Sequence, residues 1–158
     1  NFVNGTGGAQ WPYTWYVNGV TYGTTLEGVD VTGYDQAGVN VTFIMAGTLN
    51  LSGGAKTKLI APTTTTSGGA LADILLDSLT SAATTWSAGS QNVFVGAVHL
   101  PNSTVTMSGG NTTSSGAGCF MLIANRIVAS GGAMAGTACQ SIVGGSGTSG
   151  SSNVSLVR

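Results

Sequence analysis

The feature that most constrains this chain is a short Ser-Gly-Gly-type motif that recurs at a nearly constant interval. Its four copies are Ser52-Gly-Gly-Ala, Ser87-Ala-Gly-Ser, Ser108-Gly-Gly-Asn and Ser130-Gly-Gly-Ala. The last three copies begin 21 and then 22 residues apart, and each lies beside an apolar segment. A period of about 22 residues is typical of one coil of a parallel β-helix, with three short strands and three turns. We therefore expect one motif per coil, in which Gly supplies the positive φ of a tight corner.

The coil between the first two motifs is longer than the others, since these motifs begin 35 residues apart. It contains the run Thr63–Thr66 and the segment Ala70–Leu79, which we interpret as an insertion. The second of these reads ALADILLDSL and has apolar residues on more than one face. This pattern predicts either a short helix or a buried strand.

The segments between the motifs have a β-strand pattern, in which β-branched residues alternate with small or polar ones. The clearest cases are Val39–Met45, Asn92–Leu100, Thr104–Met107 and Cys119–Ala124. Together with the repeat, they predict an all-β, right-handed parallel β-helix with coils of about 22 residues. An antiparallel β-sandwich with Gly-rich turns remains the alternative, because alternation and turn spacing do not exclude it.

The expected organisation is a single solenoid domain over residues 1–143. Within it, residues 1–36 would form an aromatic-rich N-terminal cap or edge region. Residues 144–158 read as a Gly/Ser-rich tail that ends in a short strand. The chain begins at Asn1 rather than Met, which is consistent with a processed product or a fragment.

Charged residues are scarce and limit the classes of partner. They make up 6% of the chain, against roughly 25% in an ordinary soluble domain. The only cations are Lys56, Lys58, Arg126 and Arg158, and the net charge is −1. A nucleic-acid partner requires a basic face that neutralises phosphates, so we predict none. No apolar run approaches the roughly 20 residues of a membrane-spanning helix, so no transmembrane segment is predicted.

Cys119 and Cys139 are the only cysteines, and they lie close to one coil apart in the sequence. Their side chains would therefore lie above one another on adjacent coils. The hydroxyl-rich, weakly charged composition favours a disulfide formed in an oxidising compartment. Two buried free thiols are the alternative.

The region from Gly38 to Cys139 resembles the C-terminal region of TadG-like proteins of Flp (Tad-type) pilus assembly. Three stretches read GVNVTFIM, TLNLSGGA and GAVHLPNSTVTMSGG, where the family has GVTFYL, ISISGGA and GALYFPNATLTFSGG. The paired cysteines complete the resemblance. It implies a secreted or envelope-anchored β-helical domain linked to tight-adherence pili. The chain departs from the family at Leu76–Leu79, which replaces a YQDR quartet.

The sequence offers little material for catalysis. His99 is the only histidine, and a Ser–His–Asp triad would have to combine it with Asp73 or Asp77. His99 has the opposite parity to its apolar neighbours, so we expect it to face solvent. We predict no catalytic site, no metal site and no cofactor. The carboxylates Glu27, Asp30 and Asp35 are not in a recognisable calcium-binding loop and are interpreted as solvated turn residues.

The densest aromatic cluster reads WPYTWY and contains Trp11, Tyr13, Trp15 and Tyr16. Flat aromatic faces stack on sugars or anchor protein interfaces. They also cap the open end of a solenoid, which has to cover its terminal coil. We treat these four residues as candidate interface or glycan contacts.

These observations predict a non-enzymatic, extracellular structural or adhesive module of a bacterial cell surface. It would take part in pilus (tight adherence) assembly or assemble with itself into a filament or surface layer. The expected partners are further copies of the chain or other pilus and cell-envelope proteins, with glycans as a further class. The alternatives are a carbohydrate-binding adhesin and a β-helical polysaccharide lyase or hydrolase.

Overall fold

The computed structural model describes backbone and side chains for residues 25–64, 71–116, 118–137 and 139, and backbone alone for 2–4, 15–17 and 20–22. All regular elements within these ranges are β-strands. They are β1 (Phe2–Asn4), β2 (Trp15–Val17), β3 (Val20–Tyr22), β4 (Thr25–Leu26), β5 (Val29–Asp30), β6 (Gln36–Val39), β7 (Phe43–Ile44), β8 (Lys56–Ile60), β9 (Ile74–Asp77), β10 (Thr84–Trp86), β11 (Gln91–Met107), β12 (Thr112–Ser114), β13 (Phe120–Ala129) and β14 (Met134–Ala135).

Strand β11 traverses a whole coil and defines its three faces. Residues 91–95 form the first face, 97–100 the second and 104–107 the third. The bend between the first and second faces is at Gly96, whose φ is 115°. Between the second and third faces, the pairing register of β11 shifts between Leu100 and Thr104. The three-strand coil predicted from the repeat length is therefore present in this strand.

Each face of β11 pairs in parallel with the equivalent segments of neighbouring coils. The first face joins β6, β8, β11, β12 and β14. The second joins β7, β9, β11 and β13, and the third joins Leu51, β10, β11 and β13. This stacking confirms the predicted β-solenoid, with about four coils, and it is incompatible with an antiparallel sandwich. The right-handedness of the coil stays a prediction.

Four equivalent turns stack at the corner between the third face and the first face of the next coil, and we call this stack the glycine corner. They are Ser52–Ala55, Ser87–Ser90, Ser108–Asn111 and Ser130–Ala133. Both central residues of each turn have positive φ, between 53° at Ala88 and 76° at Gly132. Backbone hydrogen bonds join successive turns, with N–O distances of 2.8 to 2.9 Å. The predicted role of the motif is thereby confirmed, since Gly occupies the left-handed conformation without a Cβ penalty.

Of the two alternatives for residues 70–79, the buried strand is confirmed and the short helix is wrong for the described part of that segment, because Ile74–Asp77 is strand β9. Ile74 pairs with Ala97 and Leu76 with Val98, so a bulge brings Leu75 and Leu76 inward together. Both are 1% exposed, which explains the apolar pattern on more than one face. The insertion therefore lies between β8 and β9, and β9 itself belongs to the coil.

The interior contains one principal apolar cluster and, on the first face, a column of buried polar side chains formed by Thr57, Asn92 and Thr113. Trp86 packs edge-on against Phe94 at 5.6 Å between ring centroids, and Phe94 lies 5.9 Å from Phe120. On the first face, Asn92 donates a hydrogen bond of 3.3 Å to Thr113, which lies 21 residues later on the next coil. Polar side chains at equivalent positions of successive coils thus bond to each other inside the solenoid.

The N-terminal side of the first coil ends the parallel stacking. Strand β1 pairs with β6 in the antiparallel direction, and β4 forms a hairpin with β5. A second apolar cluster of Leu26, Val31, Ala37 and Val39 packs this hairpin against β6. Residues 144–158 lie outside the described residues. The described part of the chain contains no helix of the length and apolarity that crossing a bilayer requires.

Candidate functional site

The two cysteines join the last two coils within the described residues. Cys119 precedes β13, and Cys139 lies 20 residues later with its Cα 4.2 Å away, in a disulfide. Thr137 supports the link, because its hydroxyl accepts a 3.0 Å hydrogen bond from the Phe120 amide. The predicted disulfide between adjacent coils is confirmed, and the free-thiol alternative is wrong.

His99 pairs with Asp77 on the outer side of the second face. His99 Nδ1 lies 2.8 Å from Asp77 Oδ1, and the two side chains are 38% and 33% exposed. Their separation of 22 residues is one coil, so the repeat length itself selects Asp77 over Asp73 as the partner. A carboxylate that orients an imidazole is two thirds of a catalytic triad. Within the described residues, however, no hydroxyl group bonds to the imidazole, and Ile44 and Ile123 occupy the equivalent positions on the outer coils.

The three N-terminal carboxylates accept hydrogen bonds from neighbouring protein groups. Glu27 accepts from the Asn40 amide, and Asp30 accepts from the backbone amide of Thr32 at 2.9 Å. Asp35 accepts from the backbone amide of Lys56 at 2.9 Å. In the described part of the chain, no three metal-binding side chains form a group that could hold an ion.

A groove of about 370 Å³ lies along the outer side of the first face. Its floor follows the coils, because Lys56, Gln91 and Thr112 occupy equivalent positions on three successive strands. Ser114 and Val93 form the neighbouring column. All five side chains point away from the core, since they alternate with buried positions along their strands.

The segment 31–35 forms the wall of this groove. Val31 anchors it with no exposed surface, and Gly33 turns the chain with a φ of 81°. Asp35 fastens its other end to β8, because its backbone amide donates to the Lys56 carbonyl at 2.8 Å. Tyr34, which lines the groove, is thereby held over the first face.

Lys58 fixes the position of Tyr34 from the side of the coil. Its ammonium donates a 2.6 Å hydrogen bond to the Asp30 carbonyl and lies 5.3 Å from the centre of the Tyr34 ring. Burial, followed by the nearby charge of Asp30, raises the pKa of Tyr34. Hydrogen bonds from the Thr32 hydroxyl and amide lower the pKa of Asp30. Near neutral pH, Tyr34 is therefore a neutral phenol in the wall, whereas the ionised carboxylate of Asp30 precedes the wall and does not line the groove.

The aromatic residues singled out in the sequence are only partly within the described residues. Trp11 and Tyr13 lie outside them. Trp15 and Tyr16 belong to β2, whose backbone pairs with β3 in the antiparallel direction. Their suggested role in an interface or in glycan contact stays a prediction.

Sequence reasoning missed the groove. Its wall and floor are brought together by contacts between residues 20 to 30 positions apart, such as Asp35 with Lys56 and Asp30 with Lys58. One signal was present, because Lys56, Gln91 and Thr112 each follow a Ser-Gly-Gly-type motif directly. Aligning the motifs would have placed these three residues in one exposed column.

Comparison with family models, curated proteins and solved structures finds no match to this chain. The resemblance to TadG-like pilus-assembly proteins therefore stays a prediction.

Proposed function

We propose that the chain is a non-enzymatic, extracellular structural and adhesive module of a bacterial cell surface. It is associated with tight-adherence pilus assembly, or assembles with itself into a filament or surface layer. The observation that carries this proposal is the disulfide between adjacent coils of a continuous parallel stack. Such bonds persist in oxidising, extracytoplasmic compartments.

The architecture supports a mechanical role. In a solenoid each coil contacts only its neighbours, so the chain forms an extended scaffold with long, accessible faces. The corners are hydrogen-bonded from coil to coil, which restrains the stack along its axis. A low content of charged residues also reduces repulsion between copies or against a cell envelope.

Surface labelling of the source cells tests this proposal. An antibody against the folded chain is expected to label intact cells as strongly as permeabilised ones, and deletion of the coding region is expected to reduce surface attachment. Electron microscopy of the labelled cells would show whether the chain lies along pili or in a layer. Labelling only after permeabilisation, with both cysteines reduced in the native material, would refute the proposal.

A further inference from the structure

We propose that the groove on the first face binds an acidic oligosaccharide. This inference rests on the proposed adhesive function, because it names the class of ligand that the module would attach to. The groove is formed by the segment 31–35 and the outward column Lys56–Gln91–Thr112. Its volume of about 370 Å³ falls within the range of roughly 300–1,000 Å³ that is common for small-molecule sites.

The groups in the groove match the chemistry of a sugar. Gln91 offers two amide donors and a carbonyl acceptor, and the hydroxyls of Thr112 and Ser114 both donate and accept. A polyhydroxylated ligand needs this mixture, because each of its hydroxyls has to replace hydrogen bonds to water. Tyr34 adds an aromatic surface beside these polar groups, and such a surface packs against the apolar side of a sugar ring.

The wall is fixed before a ligand arrives. Tyr34 is held by the Lys58 ammonium at 5.3 Å, and the segment that carries it is tied to β8 through Asp35. The backbone of the floor is equally constrained, because its residues belong to paired strands. A preorganised site loses less conformational entropy on binding, so a modest polar groove can retain useful affinity.

Lys56 indicates that the ligand is acidic. Within the described residues its ammonium makes no hydrogen bond or ion pair, whereas the Lys58 ammonium already contacts the Asp30 carbonyl. Lys56 lies on the groove floor beside Gln91. A carboxylate on a uronic or sialic acid unit would satisfy this ammonium, while the remaining hydroxyls of the sugar meet Gln91 and Thr112.

Calorimetric titration of the oxidised full chain tests the inference. The probes are oligogalacturonate and sialyllactose, with methyl-esterified oligogalacturonate and lactose as their neutral counterparts. We expect the acidic probes to bind and the neutral ones to bind more weakly. Lys56→Gln should weaken binding of the acidic probes about tenfold, the usual effect of losing one charge-assisted hydrogen bond.

Arg126→Gln is the matched control, because it removes the same charge from an exposed position on the third face. It should leave the affinity unchanged, and both variants should unfold at the same urea concentration as the parent. Binding of neither acidic probe, equal binding of acidic and neutral probes, or equal losses in Lys56→Gln and Arg126→Gln would overturn the inference. A chain that labels the cell surface but binds no acidic probe would overturn this inference alone and leave the structural proposal standing.

Discussion

The two corners that flank the first face are built on different principles. The glycine corner, which leads into this face, has the same four-residue turn in all four coils, with positive φ at both central positions. The opposite corner, which we call the variable corner, leads from the first face to the second. Residues 61–73 separate these two faces in one coil, and Gly96 alone separates them in the next. In the last two coils of the described part of the chain, this corner holds the disulfide.

This difference shows which part of the coil sets the repeat. At the glycine corner each turn donates to or accepts from the next turn, so an extra residue in one turn disrupts its neighbours as well. At the variable corner, residues 61–73 separate the first face from the second in one coil, and the pairing of the faces stays intact, since Lys56–Ile60 and Gln91–Val95 remain in register. The glycine corner therefore specifies the repeat, whereas the variable corner accommodates insertions.

The largest expected effect comes from placing the same insertion at each corner. Two Ser residues between Gly109 and Gly110 would break the turn bond to Asn111 and the bonds that link this turn to Gly89 and Gly131. At about 1 kcal/mol for each of the three bonds, the free energy of unfolding should fall by at least about 3 kcal/mol. Urea denaturation followed by circular dichroism measures the loss.

The matched insertion of two Ser residues between Thr63 and Thr64 should be almost neutral. Both residues are exposed and lie between β8 and β9, and lengthening this connection by two residues adds only a few tenths of a kcal/mol of closure entropy. Equal losses for the two insertions would show that the corners do not differ in the way proposed.

The second prediction concerns the disulfide, which fastens the variable corner. Replacing both cysteines by Ser (Cys119→Ser/Cys139→Ser) removes a cross-link between residues 20 apart. The free energy of unfolding should fall by about 3 kcal/mol on the chain-entropy account. Hydrogen exchange should increase most in β14 (Met134–Ala135), which starts the coil that the disulfide holds in place.

Dithiothreitol provides the control for this variant. The parent should lose the same stability when reduced, whereas the double variant should be insensitive to the reagent. A parent whose urea midpoint is unchanged by complete reduction would mean that pairing across β12 and β14 suffices to hold the last coil.

The glycine corner was predictable from the sequence because its requirement is local. Two successive residues with positive φ strongly favour Gly, so the motif records the backbone conformation directly. The link between Cys119 and Cys139 followed from the same period. The contact between His99 and Asp77 was not predicted, although the two residues are 22 positions apart, which is one coil.

Other features could not be predicted because they depend on tertiary contacts. The local sequence ILLD is compatible with both a helix and a strand. The strand forms because a bulge lets Leu75 and Leu76 both pack into the core. The groove depends on contacts of Asp30 and Asp35 with β8, which no spacing rule anticipates. The sequence thus predicted the scaffold well and the groove on the first face poorly.

A third prediction compares two positions within the glycine corner. A Cβ added at Gly109, whose φ is 60°, would meet the Ala88 amide nitrogen at 3.1 Å, whereas one at Gly53, with a φ of 68°, meets nothing within 4 Å. Gly53→Ala should therefore cost only the left-handed strain, about 1 kcal/mol. Gly109→Ala should cost about 2 kcal/mol, because the new Cβ would press against the Ala88 backbone, which the hydrogen bonds between successive turns hold in place. Matching urea midpoints for the two variants would exclude a contribution from the contact between turns.

The smallest expected effect is a gain in stability at the one glycine-corner turn that departs from the motif. Ala88 has a φ of 53° where the other three turns have Gly. Ala88→Gly relieves about 1–2 kcal/mol of left-handed strain and raises the entropy of the unfolded chain by about 0.4–1 kcal/mol. The net result should be a stabilisation of about 0.5–1 kcal/mol in urea denaturation.

Ala55→Gly is the control, because Ala55 is the last residue of its turn and its φ is not positive. This substitution relieves no strain and should therefore destabilise the protein. If both variants lost stability, the glycine corner would have to depend on the Ala88 methyl group itself. Backbone conformation would then no longer account for the recurrence of the same turn at this corner.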